Sequence, residues 1–184
     1  MVVLVGYASE HGSTQGIAER IAQDLTRLGL TVEVSAMADV TDVARYQAAV
    51  LGSAIHAGAW LSAGREFVER NTERLQDLPV WLFSVSTVGD EDAMFPEVVA
   101  NRLRAMRKET AEITSFRRSL HVREHHNFTG AIQREHWPQT GRVFFRSMAG
   151  RYGDHRNWPA IDAWADRIAA QVATTIPRDR TDLT

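Results

Sequence analysis

The sequence predicts an α/β fold in which a doubly wound parallel β-sheet is covered by helices on both faces. Short apolar runs alternate with segments whose apolar residues recur every three or four positions, the spacing of an amphipathic helix. Three apolar runs lead directly into segments rich in Ser, Thr and Gly: S-E-H-G-S-T, S-A-I-H-A-G-A-W and S-T-V-G-D. Ligands of such sheets bind beyond the carboxyl ends of the strands, so the three segments predict one shared pocket.

The first strand and helix carry the clearest pattern. An apolar run, Val2 to Val5, ends at Gly6 and predicts a buried strand. A helix is predicted from Ser13 to Leu28, because Ile17, Ile21, Leu25 and Leu28 repeat at helical spacing. Gly29 follows at the position where a glycine commonly ends a helix.

The remaining strands and helices follow in alternation. Four further strands are predicted at Thr31–Ser35 (an edge strand), Ala48–Gly52, Val80–Val85 and His125–Ile132. Ser62 is expected to cap a helix that carries Phe67, Val68 and Leu75, and another helix is expected from Pro96 to Arg107. No helix or strand is predicted for residues 39–46 and 109–124. A basic, aromatic insert from Gln133 to Arg156, with a short helix at Val143–Ala149, precedes a last helix from Asn157, its N-cap, to Ala173.

Composition limits the classes of protein to which the chain can belong. With 184 residues, 44% of them hydrophobic and 24% charged, we expect one domain over residues 1–175 followed by a polar tail, 176–184. The absence of cysteine excludes disulfides, thiolate nucleophiles and cysteine-ligated metals. The sequence has no apolar run as long as a membrane span and no basic leader before an apolar core, so a cytoplasmic protein is expected.

Charge is distributed unevenly along the chain. Residues 1–101 contain 6 Arg and 14 acidic residues, a net charge of −8, whereas residues 102–156 contain 12 Lys/Arg and 5 acidic residues, a net charge of +7. This separation indicates a face that meets an anionic partner, and an ordinary solvated surface is the alternative. Nucleic acid is not expected to be that partner, because the first half is acidic and no known binding motif is present.

The segment after the first strand has the features of an anion site. Backbone amides at a helix N-terminus lack intrahelical partners, Ser9, Ser13 and Thr14 add hydroxyl donors, and Gly12 permits a close approach of the backbone. Neither a Walker A loop nor a G-x-G-x-x-G fingerprint is present. With no cation in the loop, the segment predicts a monophosphate held by neutral donors. A plain strand-to-helix turn with a Ser/Thr cap is the alternative.

Together the three segments resemble the loops of the flavodoxin-like fold. S-E-H-G-S-T is similar to the flavodoxin phosphate loop, with His11 in place of a hydroxyl residue, while the segments from Ser53 and Ser86 resemble those flanking the flavin ring. The resemblance implies a five-stranded sheet of order 2-1-3-4-5 and flavin mononucleotide (FMN) as cofactor. The cofactor-binding residues that it implies are Ser9, Glu10, His11, Gly12, Ser13, Thr14, Ser53, Ala54, Ile55, His56, Ala57, Gly58, Trp60, Ser86, Thr87, Val88, Gly89 and Asp90.

A closer resemblance is to the menaquinone-dependent protoporphyrinogen dehydrogenase family. It rests on G-S-A-I-H-A-G, on F-S-V-S after the fourth strand, and on the insert that leads through G-D-H-R-N-W into the last helix. The resemblance implies an FMN enzyme that oxidises protoporphyrinogen IX in haem biosynthesis and passes electrons to a quinone. Three alternatives remain: a flavodoxin-type electron carrier, a quinone or other small-molecule reductase that uses FMN or a deazaflavin, and a module without cofactor.

Several side chains have two interpretations each. His56 and Trp60 are predicted beside the flavin ring, or else as a loop histidine and a partly buried tryptophan. Glu10 is expected to act through its amide, because its carboxylate would repel a phosphate. The insert's Arg142, Arg146, Arg151 and Arg156 are predicted to face porphyrin propionates or anionic lipid, or else simply to be solvated.

No protein side chain is predicted to be catalytic, since the flavin supplies the redox chemistry. His121, His125, His126 and His136 invite a metal hypothesis, but adjacent residues of a strand point to opposite faces, and no metal is predicted.

Overall fold

The computed structural model describes residues 2–136 and 139–175, without the side chains of His136, Thr140, Phe144 and Thr175. The predicted tail, 176–184, lies outside these ranges. The strands are β1 Val2–Ala8, β2 Thr31–Ala36, β3 Ala48–His56, β4 Ala59–Trp60, β5 Val80–Ser86, β6 Val122–Thr129, β7 Ala131–Ile132 and β8 Gly153–Asp154. The α-helices are α1 Ser13–Arg27, α2 Ser62–Arg70, α3 Thr72–Leu75, α4 Glu97–Met106, α5 Ala111–Ser119, α6 Gln139–Ser147 and α7 Trp158–Thr175, and a 3₁₀ turn spans Arg134–His136.

Five strands form a parallel sheet of order β2-β1-β3-β5-β6, which confirms the predicted order. The central strands are apolar on both faces, as a sheet covered by helices on both sides requires. One face packs against α1 and α7, and the other packs against α2, α3 and α5. A third apolar cluster, around Phe95 and Phe145, joins α4 to α6.

The caps of α1 and α7 follow the sequence prediction. Gly29 has φ 91°, its N–H donates to Thr26 O, and the N–H of Leu30 donates to Leu25 O, the pair of bonds that defines a Schellman end. The side chain of Asn157 accepts from Ala160 N–H at 3.1 Å and so caps α7 as predicted.

The exit from the third strand differs from the prediction. We expected the strand to end at Gly52 and a loop to follow, but β3 continues to His56 and turns back through β4. Ala57 and Gly58 have φ of 50° and 82°, the positive values that tight hairpin turns need. This β3–β4 hairpin is a stiffer support for a ligand than a loop would be.

Other expectations about the elements were wrong. Ser62 makes no capping hydrogen bond, because α2 has Leu61 as its N-cap, and Leu75 belongs to the separate helix α3. The fifth strand begins at Val122 and ends at Thr129, while Ala131–Ile132 pairs antiparallel with β8. The helix of the insert begins four residues earlier than predicted, at Gln139. Leu28, the last residue of the predicted apolar repeat, is 43% exposed.

Helix α5 had no sequence prediction. Its start is capped by Thr110, whose hydroxyl accepts from Ile113 N–H, and its buried side is limited to Ile113 and Phe116. Two large apolar residues in nine positions give too weak a periodic signal to predict a helix.

Candidate functional site

A cavity of about 510 Å³ opens at the carboxyl ends of the parallel strands. Four connections meet there: the loop after β1, the β3–β4 hairpin, the loop after β5 and the segment after β6, with one residue of α6 added. The lining residues are Ser9, Glu10, His11, Ser13, Thr14, Ala54, Ile55, His56, Ala57, Val85, Ser86, Thr87, Met94, Gly130, Ala131, Ile132 and Gly141. The volume is in the usual range for sites of small ligands.

One end of the cavity is the N-terminus of α1. Gly12 has φ 81° and places the chain for the helix, and its own N–H donates to Ser9 Oγ at 3.1 Å. The first intrahelical bond runs from Gly16 N–H to Gly12 O, so the amides of Ser13, Thr14 and Gln15 have no partner within the helix. These donors, at the positive end of the helix dipole, suit an anion.

Thr14 supplies the most informative side chain of this end. The residue is fully buried, yet its Oγ1 has no hydrogen-bond partner among the described residues. A buried hydroxyl without a partner costs free energy unless a ligand or water satisfies it. Because Thr14 also lines the cavity, its hydroxyl is available to a bound anion.

The segment after β6 is tied to the same helix end. Ser13 Oγ accepts a hydrogen bond from Ala131 N–H at 2.8 Å. Gly130 packs so closely that a Cβ atom there would lie 2.7 Å from Ser13 Oγ and 2.8 Å from a methyl group of Val85. Glycine is therefore required at this position for the two loops to meet.

Three titratable side chains at the anion end, Glu10, His11 and His56, form what we call the rim cluster. Glu10 Oε2 lies 3.5 Å from His56 Nδ1, and Glu10 Oε1 lies 4.0 Å from His11 Nε2. All three line the cavity and remain 41% to 72% exposed. The described part of the lining contains no Lys or Arg, so the cluster holds its only charges.

Trp60 does not take the place predicted for it. It is 2% exposed, its indole N–H donates to Ser84 Oγ at 2.8 Å, and its ring packs edge-on against Phe116. Its partner in the hairpin, Ile55, lines the cavity instead. Adjacent positions across a hairpin share a face, and Ile55 packs against the same apolar cluster in which Trp60 is buried beneath α2 and α5.

Ser53 and the far part of the third loop also lie outside the cavity lining. Ser53 is buried, and its Oγ accepts from Leu61 N–H and donates to Ala54 O. Gly89 N–H donates to Thr129 Oγ1. These interactions hold the loops that carry the lining residues. Of the residues implied by the resemblance, those that the structure places outside the lining are Gly12, Ser53, Gly58, Trp60, Val88, Gly89 and Asp90.

Asp90 anchors the third loop to β6. Its carboxylate accepts from Asn127 N–H at 2.8 Å and pairs with Arg107. Burial raises the pKa of this carboxyl, but the Asn127 amide and the Arg107 guanidinium outweigh burial, so the pKa lies below its ordinary value. Asp90 therefore remains charged and structural.

Six lining residues were missed by the sequence analysis: Val85, Met94, Gly130, Ala131, Ile132 and Gly141. The segment 130–132 could have been found, because the rule about carboxyl ends applies to the fifth strand as well as to the others. Met94 and Gly141 gave no local signal, because tertiary contacts bring their segments to the cavity: Met94 N–H donates to Thr87 O, and Phe95 packs against Phe145.

The basic insert divides into paired and exposed arginines. Arg156 pairs with Asp154 at 2.6 Å, lies over the ring of Trp158 and contacts α1 at Gly16. Arg142 is partly buried next to the lining residue Gly141, whereas Arg146 and Arg151 are exposed. Phe145 is buried, and the side chain of Phe144 lies outside the described set.

The adjacent histidines of β6 point to opposite faces, as predicted. His125 hydrogen-bonds Ser84 Oγ at 2.8 Å, and His126 packs against Phe128 and Trp164. Within the described residues, no cluster of three or more His, Asp or Glu side chains could hold a metal ion. Nor does any helix of the described ranges have the length and apolar character needed to cross a membrane.

The chain belongs to the flavodoxin domain family, whose model matches residues 4–155, and membership of this family implies a flavin cofactor. Protoporphyrinogen IX dehydrogenase [quinone] of Escherichia coli (strain K12) is 30% identical over 90 residues, which are 48% of this chain and 50% of that protein. The chain thus spans about half the length of the curated relatives that it matches.

Solved structures support the same fold. A flavodoxin from the domain Archaea has 17% identity and a TM-score of 0.55, over 94% of this chain and 99% of its own. A flavodoxin of Streptococcus pneumonia TIGR4 has 14% identity and a TM-score of 0.57, over 93% of this chain and 99% of its own. Rubredoxin oxygen:oxidoreductase of Desulfovibrio gigas has 15% identity and a TM-score of 0.55, over 94% of this chain and 36% of its own.

Proposed function

We propose that this protein binds FMN in the cavity and oxidises protoporphyrinogen IX with a quinone as electron acceptor. The observation that carries the reaction is the 30% identity with Protoporphyrinogen IX dehydrogenase [quinone] over 90 residues. The observation that carries the cofactor is the cavity itself, with a buried, unpartnered Thr14 hydroxyl at a helix N-terminus.

The lining fits FMN at both ends. The amides of Ser13, Thr14 and Gln15, together with the Thr14 hydroxyl, would hold the phosphate through neutral donors. Ile55, Val85, Met94 and Ile132 would supply apolar walls for the ring system. Bound FMN supplies the transfer of electrons, which no protein side chain here provides.

The insert supplies the groups that would recognise the substrate. Porphyrinogens carry propionate side chains, and arginine binds carboxylates through paired N–H donors. Arg146 and Arg151 are exposed, on and just after the helix whose Gly141 lines the cavity. We expect these two arginines to hold propionates at the cavity mouth. Arg142 stays a candidate for the same role.

The direct test is turnover by the purified chain. The protein is reconstituted with FMN under anaerobic conditions, offered protoporphyrinogen IX and a soluble quinone, and followed by the fluorescence of the porphyrin product. We expect FMN-dependent product formation that the double variant Arg146→Glu/Arg151→Glu reduces through a higher KM. FMN binding without product formation would exclude the dehydrogenase and leave the cofactor assignment standing.

An electron carrier without its own substrate is the second candidate. It is favoured by the neighbours that match nearly the whole chain, because two of them are flavodoxins. Such carriers are commonly strongly acidic, whereas this sequence has a pI of about 6.4. A holoprotein that is reduced by a ferredoxin-type reductase and oxidises neither porphyrinogen nor reduced quinone would establish the carrier.

A quinone or small-molecule reductase on the same fold would behave differently again. It would oxidise a reduced nicotinamide, or a reduced deazaflavin, when quinone is present and porphyrinogen is absent. The same preparation tested with these donors separates this activity from the dehydrogenase.

A further inference from the structure

We propose that the rim cluster makes the anion end of the cavity proton-coupled, so that binding of a phosphate group is accompanied by net uptake of a proton. Glu10 opposes the phosphate, and His56, assisted by His11, offsets Glu10 when it is protonated. This inference rests on the proposed FMN binding and adds to it a specific dependence of affinity on pH.

The geometry places one acidic group between two basic ones. Glu10 Oε2 and His56 Nδ1 are 3.5 Å apart, and Glu10 Oε1 and His11 Nε2 are 4.0 Å apart. The three side chains come from two separate elements, the loop after β1 and the β3–β4 hairpin. The pair Glu10–His56 therefore bridges two walls of the cavity.

A second observation identifies this end as an anion site. Thr14 Oγ1 is buried and unpartnered in the described structure, and it lines the same cavity as the rim cluster. A phosphate held by this hydroxyl and the first-turn amides would share the cavity with the Glu10 carboxylate. Two negative groups within a few ångströms repel each other unless a positive charge stands between them.

The other cations near this end are outside the described cavity lining. The described lining contains no Arg or Lys. Arg156, packed on α1 at Gly16, is already paired with Asp154. Arg142, next to the lining residue Gly141, is the nearest other cation in sequence and has interactions of its own. Among the lining side chains, the histidines of the rim cluster are then the groups that can carry a positive charge.

The sign of the effect follows from linkage. If the complex holds more protons than the free protein, affinity rises as pH falls. We therefore expect FMN to bind about fivefold or more tightly at about pH 6 than at about pH 8. Riboflavin, which lacks the phosphate, is expected to bind with little dependence on pH.

The experiment is an equilibrium titration of the full chain with FMN, followed by the quenching of flavin fluorescence. Glu10→Gln removes a charge that repels the phosphate, so it is expected to strengthen FMN binding about threefold or more at about pH 8 and to change it less at about pH 6. His56→Gln is expected to remove most of the increase in FMN affinity that the wild type shows at low pH. Glu19→Gln makes the same change of charge on the exposed side of α1, away from the cavity. It is expected neither to strengthen FMN binding at about pH 8 nor to alter the dependence of binding on pH.

The phosphate of FMN also takes up a proton near neutral pH, so the variants decide which group is responsible. If the affinity for FMN depends on pH in His56→Gln and in Glu10→Gln as it does in the wild type, the proton belongs to the phosphate and the inference is overturned. Weaker binding by Glu10→Gln at about pH 8 overturns it as well. Binding that does not vary with pH contradicts this inference alone, whereas no FMN binding at any pH contradicts the proposed function itself.

Discussion

Thr14 combines full burial with a hydroxyl that has no hydrogen-bond partner in the described structure. Native proteins seldom leave such a group unsatisfied, and the exceptions are commonly found where a ligand binds. We predict that Thr14→Val lowers the affinity for FMN by about fivefold, the loss of one hydrogen bond worth about 1 kcal/mol. Fluorescence titration of the apoprotein measures the change.

The same substitution should not destabilise the apoprotein, because the lost hydroxyl is unpartnered. Thr26→Val serves as the matched control, since Thr26 lies on the same helix, is exposed, and uses its hydroxyl to donate to Ala22 O. Equal affinities for FMN in wild type, Thr14→Val and Thr26→Val would refute a role for the Thr14 hydroxyl.

His125 is neutral in the folded protein at ordinary pH. Trp60 N–H donates to Ser84 Oγ, so the Ser84 hydroxyl can donate to His125 Nε2, which must then carry no proton. Burial lowers the pKa of His125 to about 4, although the nearby Glu109 acts in the opposite direction. The second nitrogen, Nδ1, lies 3.9 Å from Glu109 Oε1.

This arrangement predicts a loss of stability in acid. Unfolded His125 takes up its proton near pH 6.5, the usual value, and the folded form does so only near 4, so stability falls as pH drops between these values. The contribution at stake is about 3 kcal/mol. Urea unfolding at several pH values measures it. His125→Gln should flatten this dependence, while His121→Gln, an exposed change, should leave it intact. An unchanged slope in His125→Gln would assign the loss to other groups.

At the scale of elements, the packing of β3 beside β5 depends on Gly52, which has no side chain. A Cβ atom at Gly52 would lie 2.0 Å from the ring of Phe83, which fills the core beneath α1 and α7. Gly52→Ala should therefore destabilise the fold by about 1–3 kcal/mol, as overpacking of a core commonly does. Thermal or urea unfolding gives the value.

A double variant tests the cause. Phe83→Leu removes the ring that Gly52→Ala would meet. The double variant should therefore lose less unfolding free energy than the sum of the losses in the two single variants. Strict additivity would show that the ring is not what makes the alanine unfavourable.

Elements were predicted well where one residue pattern determines one structure. Ile17, Ile21 and Leu25 repeat along a helix that ends in a Schellman motif at Gly29, and both features are local. The β3–β4 hairpin was missed because S-A-I-H-A-G-A-W contains turn residues without an alternating pattern. Its pairing is fixed by the neighbouring strands and by the burial of Trp60, which short-range patterns do not describe.

At the scale of the molecule, the basic half of the chain supplies exposed cations beside the cavity. Val143 is 71% exposed on α6, between Arg142 and Arg146, and Arg151 follows the helix. A quinone acceptor dissolved in a bilayer would require the protein to approach an anionic surface, to which each arginine contributes about 1 kcal/mol. We predict weak binding to anionic vesicles that is lost at high salt.

Reversing the charge of selected arginines tests which face of the protein binds the vesicles. Arg146→Glu/Arg151→Glu should reduce binding to anionic vesicles by about tenfold or more, whereas Arg118→Glu/Arg123→Glu, exposed on α5 and β6, should reduce it less. Sedimentation with vesicles of phosphatidylserine and phosphatidylcholine gives the affinities. Equal losses in the two double variants would indicate attraction by net charge rather than a face beside the cavity.

The sequence by itself determined the α/β class, the strand order through its resemblance to the flavodoxin-like fold, and most of the cavity lining, which is contributed by Ser9–His11, Ser13–Thr14, Ala54–Ala57 and Ser86–Thr87. These features depend on short-range patterns and on the rule that the carboxyl ends of parallel strands share one edge. Only the tertiary structure decided that Trp60 belongs to the core, that Arg156 is paired, and that Gly130 and Met94 reach the cavity. Those outcomes depend on contacts between residues far apart in the chain, where the packing of neighbouring elements decides which side chain is buried and which faces the ligand.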